Sequence, residues 1–186
     1  MRHAAWTLLA AAACVQAAPV SYRIDPAHTH VYFEVQHFGT STSRGRFDKL
    51  DGSITLDRAA HQGEVSIEVD TGSVSTGIAP FDSVLKRADM LAAQAYPRAY
   101  FVSRRIEFDG DRVASLTGEF TMRGTSRPLT LQAKRFNCQP HPELQRELCG
   151  GDFEGDVKRS EFGMSFGLPF IADRVRLVVQ VEALRD

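Results

Sequence analysis

Apolar and polar residues alternate with period two over most of this 186-residue chain. Val31, Phe33 and Val35 alternate with Tyr32, Glu34 and Gln36, and Val65, Ile67 and Val69 alternate with Glu64, Ser66, Glu68 and Asp70. The longest run sets Val175, Leu177, Val179, Val181 and Ala183 on one face, with Arg174, Arg176, Gln180 and Glu182 on the other. Successive side chains of an extended strand point to opposite faces, so this pattern predicts half-buried antiparallel strands. Further strands are expected at about 45–57, 99–109, 113–123, 129–136 and 153–159. Turn signals fall at Asp51-Gly52, at Asp109-Gly110-Asp111, and at Arg123-Gly124 ahead of Pro128.

One segment has a different rhythm. Phe81, Val84, Leu85, Ala88, Leu91, Ala92 and Ala95 recur at helical spacing, and Tyr96-Pro97 ends the run. Pro80 stands just before it, and Asp82 lies in the first turn, where a carboxylate complements the helix dipole. The expected order is therefore several strands, one amphipathic helix over 81–95 and several more strands, with no linker or repeat to divide them. Eight strands form either a two-sheet sandwich or a closed barrel. Closure removes exposed strand edges, and an eight-stranded bore either fills with side chains or holds one slim ligand.

Composition narrows the compartment more than the chemistry. A formal net charge of −1 with 24% charged residues gives too little asymmetry for an electrostatic nucleic-acid binder. Arg2 and His3 lead into an apolar run from Trp6 to Val15, and Val15 and Ala17 suit the small-residue positions of a cleavage site. Residues 1–17 therefore read as a secretory signal peptide, leaving 18–186 as the folded domain in a periplasmic or secreted location. Lipid attachment at Cys14 is a minor alternative. The two other cysteines, Cys138 and Cys149, bracket a short polar loop. In an oxidising compartment they are expected to pair as a structural disulfide.

The search for catalytic or metal chemistry returns little. Gly163-Met-Ser165-Phe-Gly167 fits the nucleophile-elbow string of serine esterases. That elbow needs a helix after its serine, whereas Leu168-Pro169 follows here, and it needs a later histidine, whereas the last one is His141. His28 and His30 would share a strand face, yet a third metal ligand is missing, so neither a metal nor another cofactor is expected. Arg104-Arg105 and Lys158-Arg159 are isolated and balanced by acids, as on a solvated face.

The remaining signal is apolar, and it resembles a known family. Tyr22-Arg-Ile-Asp25, His30 to Gly39, Gly45-Arg-Phe47, Val69 to Gly77, Leu116 to Thr125 and Lys158 to Met164 follow one another as in the YceI-like family of exported polyisoprenoid-binding proteins. The resemblance covers about Tyr22 to Leu184. It implies an all-β, lipocalin-like eight-stranded antiparallel barrel, with the helix covering part of its opening. It also implies a cavity for a long isoprenoid chain, such as a quinone tail or polyprenyl alcohol, bound without catalysis. Two positions depart from the family pattern. Val84 stands where many members carry histidine, and Met90-Leu91 where an aromatic pair is usual. The resemblance thus bears on a cavity more than on a head group.

Strand parity and the helix face nominate a wall of Phe33, Val35, Phe47, Leu85, Leu91, Phe101, Leu116, Phe120, Leu131, Phe162 and Met164. The expected partner is a small lipid ligand and not nucleic acid; a homodimer stays open. Two other readings compete: a stress-related module for fatty acids or amides, and an esterase using Ser165.

Overall fold

The computed structural model describes residues 18–186. The expected signal peptide, its cleavage at Ala17 and the lipidation of Cys14 lie outside the described residues. Eleven strands follow in chain order: β1 (Val20–Ile24), β2 (His30–His37), β3 (Ser41–Phe47), β4 (Leu50–Asp57), β5 (Gln62–Asp70), β6 (Val74–Ser75), β7 (Arg98–Asp109), β8 (Arg112–Met122), β9 (Thr125–Pro140), β10 (Glu147–Lys158) and β11 (Ile171–Arg185). One helix, α1 (Ala79–Leu85), sits between β6 and β7. Every pairing is antiparallel. The circuit β1-β4-β5-β7-β8-β9-β10-β11 returns to β1, which closes an eight-stranded barrel.

Closure depends on how β11 is shared. Its last residues, Ala183 to Arg185, pair with Tyr22 to Ile24 of β1, while Ile171 to Gln180 pair with β2. β2 continues the sheet through β3, which pairs with the two residues of β6. The chain therefore wraps the β11 side with β1 at one end and β2 at the other. Along β11 the inward face is the one the alternation predicts, and Leu177 and Ala183 on it are buried. The outward face carries charges in a row across four seams. Arg44 and Arg176 both donate to Glu34, Arg176 also donates to Glu154, and Lys134 approaches Glu154 at 3.3 Å. The Arg44 hydrogen bond is the main cause that holds the Glu34 carboxyl below its ordinary pKa. An apolar interior under a charged exterior is the reverse of a membrane-spanning barrel, whose outer band faces lipid. Among the described residues no helix is long and apolar enough to cross a membrane.

Three expectations change. The stretch at 45–57 is two strands that part at Asp48-Lys49, and Gly52 lies within β4 instead of turning the chain. Its Cβ position would stand 2.4 Å from the Ser66 carbonyl oxygen, so glycine serves close strand approach here. β1 was not expected as a strand, because five residues are too short for alternation to stand out. The helix ends at Leu85, and residues 86–96 continue as turns. Carbonyls of the later turns are used elsewhere. Arg123 Nη1 donates to the carbonyls of both Ala88 and Met90, which a continuous helix would use itself. Arg87 grips Asp89 through Nε and Nη2, a two-residue spacing that does not meet on a helix surface. Ala92 then takes a left-handed φ of 49°, and the backbone N–H of Leu91 reaches back to the carbonyl of Leu85. Leu85, Leu91 and Ala92 are buried all the same.

Cys138 and Cys149 face each other across β9 and β10 and form the expected disulfide. Closing a loop of about a dozen residues removes about 3 kcal/mol worth of unfolded-chain freedom. The double substitution Cys138→Ala with Cys149→Ala is expected to lower the unfolding free energy by that amount in a urea titration; an unchanged midpoint contradicts the bridge.

Candidate functional site

The interior of the barrel is not filled. Two apolar cavities lie end to end along β11, of about 70 Å³ and about 120 Å³. Val175 and Leu177 face the larger one, beneath α1, while Val179, Val181 and Ala183 face the smaller. Val31 of β2 is the one residue common to both walls. Phe101 and Phe120 stand opposite each other on β7 and β8 and line the smaller and the larger cavity respectively.

Strand register brings the wall together. Val31, Phe33 and Val35 on β2 lie between Phe47, Gly45 and Ser43 of β3 on one side and Val179, Leu177 and Val175 of β11 on the other. Phe33, Val35 and Phe47 line the larger cavity. So do Leu85 and Leu91, from α1 and the turns after it, with Phe120 and Met164. Phe101, Leu116 and Leu131 line the smaller one. Phe162 does not reach either wall: it is buried behind Phe120, edge against face at 5.3 Å between ring centres. The reason lies in the backbone, since Phe162 sits in a single 3-10 turn (Arg159–Phe162) after β10, where strand parity no longer applies.

The smaller cavity ends in a satisfied polar cluster. Tyr22 donates its hydroxyl to Glu147 at 2.9 Å, and Arg58 donates to the other oxygen of that carboxylate at 2.5 Å. Burial, followed by the hydrogen bond to Glu147, pushes the Tyr22 hydroxyl up to about 12. Thr29, also on this wall, donates to the Glu182 carbonyl and accepts from the Glu182 backbone N–H. The polar residue in the larger wall is Arg159, which sequence patterning assigned to a solvated face. It is 3% exposed. No signal in a lone Lys158-Arg159 pair marks such a side chain as internal.

The other nominated chemistry is dispersed. Ser165 is exposed in a loop that runs through a cis Leu168-Pro169 bond, with no helix after it. His28 lies in the turn before β2 and contacts Asp25 at 2.8 Å; that hydrogen bond and the Asp25 charge raise its pKa. Among the described residues, the one trio of His, Cys, Asp or Glu close enough to hold an ion is Cys138, Glu147 and Cys149. Its two sulfurs are already bonded to each other.

Residues 22–183 match the YceI-like domain family. The protein YceI of Escherichia coli O157:H7 is 33% identical over 173 residues, which cover 91% of this chain and 90% of that protein. YceI of Salmonella arizonae is 31% identical with the same coverage. Among solved structures, BcnA of Burkholderia cenocepacia superposes with a TM-score of 0.70 at 21% identity, over 86% of this chain and 98% of that one. A polyisoprenoid-binding domain from Saccharophagus degradans gives 0.65 at 14% identity, over 90% of this chain and 99% of that one.

Two measurements probe the cavity ends. The Phe33 ring lies over Gly45, where an added Cβ would stand 2.4 Å from the ring tip. Gly45→Ala is therefore expected to swing that ring into the larger cavity and weaken uptake of an apolar fluorescent probe several-fold, with little change in far-UV circular dichroism. At the other end, a hydroxyl held above its unfolded value of 10.0 supports folding fully below pH 10, and that support is lost as pH rises to about 12. The stability difference between wild type and Tyr22→Phe should accordingly narrow from pH 10 to 12 in denaturant titrations.

Proposed function

The chain belongs to the YceI-like family, and we propose that it binds an isoprenoid chain, such as that of a quinone or polyprenyl alcohol, or a similar slim amphiphile, without chemical turnover. The observation that carries this reading is the pair of apolar cavities meeting at Val31. Walls that are apolar nearly throughout favour hydrocarbon, because each desolvated and unsatisfied polar group costs roughly 1–3 kcal/mol. The Saccharophagus degradans domain, of like fold, is described as polyisoprenoid binding, which supports the same ligand class here.

Magnitudes set the length of chain. At about 12 Å³ of cavity volume per water-sized group, the two chambers take about six and about ten groups of methylene size. That is about three isoprene units. Burying some fifteen such groups at ~0.8 kcal/mol each returns about 12 kcal/mol. Immobilising a ligand costs on the order of 4–15 kcal/mol. A chain that fills only one chamber is therefore held weakly, and one that fills both is held well. Longer tails have to displace wall side chains.

The reading includes export. The basic start, apolar run and small residues within 1–17 support secretion, and the Cys138–Cys149 disulfide suits an oxidising compartment such as the periplasm. There the protein would carry, store or scavenge its lipid, and the reading calls for no cofactor beside that ligand.

Native mass spectrometry of the purified protein is the direct test, and an adduct of isoprenoid mass is expected. Val31→Trp should then abolish retention of a fifteen-carbon prenol while leaving that of a ten-carbon one within about twofold. Failure of both prenols to bind the wild type, with no lipid adduct, overturns the reading.

A further inference from the structure

Most of the phenylalanines are buried or half-buried, and the three that are not stand together. Phe38 is 59% exposed, Phe166 48% and Phe170 64%. Strand direction places all three at one end of the barrel. β2 runs from Val31, on both cavities, through Val35 on the larger one to His37, and Phe38 follows. β11 starts at Ile171, reaches the larger cavity at Val175 and the smaller at Val179, so Phe170 precedes it at that same end. Phe166 comes two residues after Met164 of the larger wall.

Neither the core nor the backbone calls for these rings. Phe38 and Phe170 stack on each other with ring centres 5.7 Å apart, and the Phe38 N–H donates to the Phe170 carbonyl at 2.7 Å. In the turn from His37 to Thr40, Phe38 and Gly39 take left-handed φ angles of 52° and 64°. Turns with two such residues favour asparagine or glycine at the first, and a bulky side chain is disfavoured there by its own backbone. The Phe166 ring is steadied by the Arg87 guanidinium, 5.6 Å from its centre. Arg159 donates to the carbonyls of Met164, Phe166, Ile171 and Ala172, so the loop bearing Phe166 and Phe170 is held in place before any partner arrives.

Area and charge select the partner. At roughly 200 Å² for a phenylalanine side chain, these exposures leave about 340 Å² of aromatic surface. A stable contact with a second copy of the chain takes roughly 800 Å² from each partner. A lipid surface needs no matching patch, because affinity there scales with the apolar area set into the headgroup boundary. Charged groups beside the rings are engaged within the protein, Arg87 with Asp89 and Asp173 with Ser160, so they do not select anionic headgroups. We propose that Phe38, Phe166 and Phe170 dock this end of the barrel on a phospholipid surface, by insertion of their rings and not by headgroup charge. Docking rests on the lipid-binding reading for its purpose, since the guest would enter from or leave to a bilayer, but it is measurable with no guest present.

Flotation of the purified protein with phosphatidylcholine vesicles is the test. Wild type should float with the vesicles, and a tenfold rise in salt should change the bound fraction by less than about twofold, because ring insertion is not screened. Phe38→Asn suits the turn and should keep the melting temperature while weakening partition about tenfold; Phe170→Ser should weaken it similarly. Leu144→Ser, at an exposed position between β9 and β10 at the opposite end, should float as wild type does. The proposal is overturned if wild type does not float, or if the double variant Phe38→Asn with Phe170→Ser floats unchanged. Binding that requires phosphatidylglycerol and fades with salt also overturns it, as does a dimer, abolished by Phe38→Asn, that forms in place of flotation. Retention of a fifteen-carbon prenol by protein that does not float removes docking alone, whereas flotation without prenol retention removes the lipid-binding reading alone.

Discussion

The architecture depends on a short run of backbone hydrogen bonds. Three residue pairs between β1 and the end of β11, together with four between β1 and β4, turn an open sheet into a ring. Once the ring is closed, no long edge is left, and the alternation of side chains has only two destinations, inside or outside. An open sheet of the same strands would have to cover its apolar face with another layer. Here the sheet covers itself, and curvature sets how far apart opposite walls can stand.

That constraint explains why the interior keeps space. Side chains on opposite walls of an eight-stranded bore meet only where both are large. Phe33 folds back over Gly45, and Phe153, also buried, belongs to the wall of the smaller chamber. The remaining gap is apolar nearly throughout, since Arg159, Tyr22 and Thr29 turn their polar atoms to hydrogen-bond partners in the protein.

Much of this was legible in the residues, for one physical reason: parity along a strand is a local property. Val31, Phe33 and Val35, or Val175 through Ala183, reveal their inward face without knowledge of their neighbours, and the nominated strand residues Phe33, Val35, Phe47, Phe101, Leu116, Phe120 and Leu131 accordingly stand on a cavity wall. What escaped depends on distant partners. The helix expected over 81–95 stops at Leu85, and Arg123, more than thirty residues away, holds the Ala88 and Met90 carbonyls that its later turns would have used. Phe162 left the wall because a 3-10 turn rotates it behind Phe120. Arg159 read as solvated because nothing in a Lys-Arg pair announces that the backbone of residues 164–172 will fold around the second side chain.

If the barrel binds a lipid chain as proposed, two cavities that share Val31 as a wall residue bear on how it would discriminate among guests. In a uniform tube, each added carbon contributes a similar increment, so affinity climbs smoothly with tail length. Two compartments meeting beside one shared side chain would instead give a staircase: carbons that reach the boundary without clearing it would gain almost nothing, and the next few would gain a whole step. Sorting by length would then need no measuring groove, only a boundary at the height of Val31 on β2.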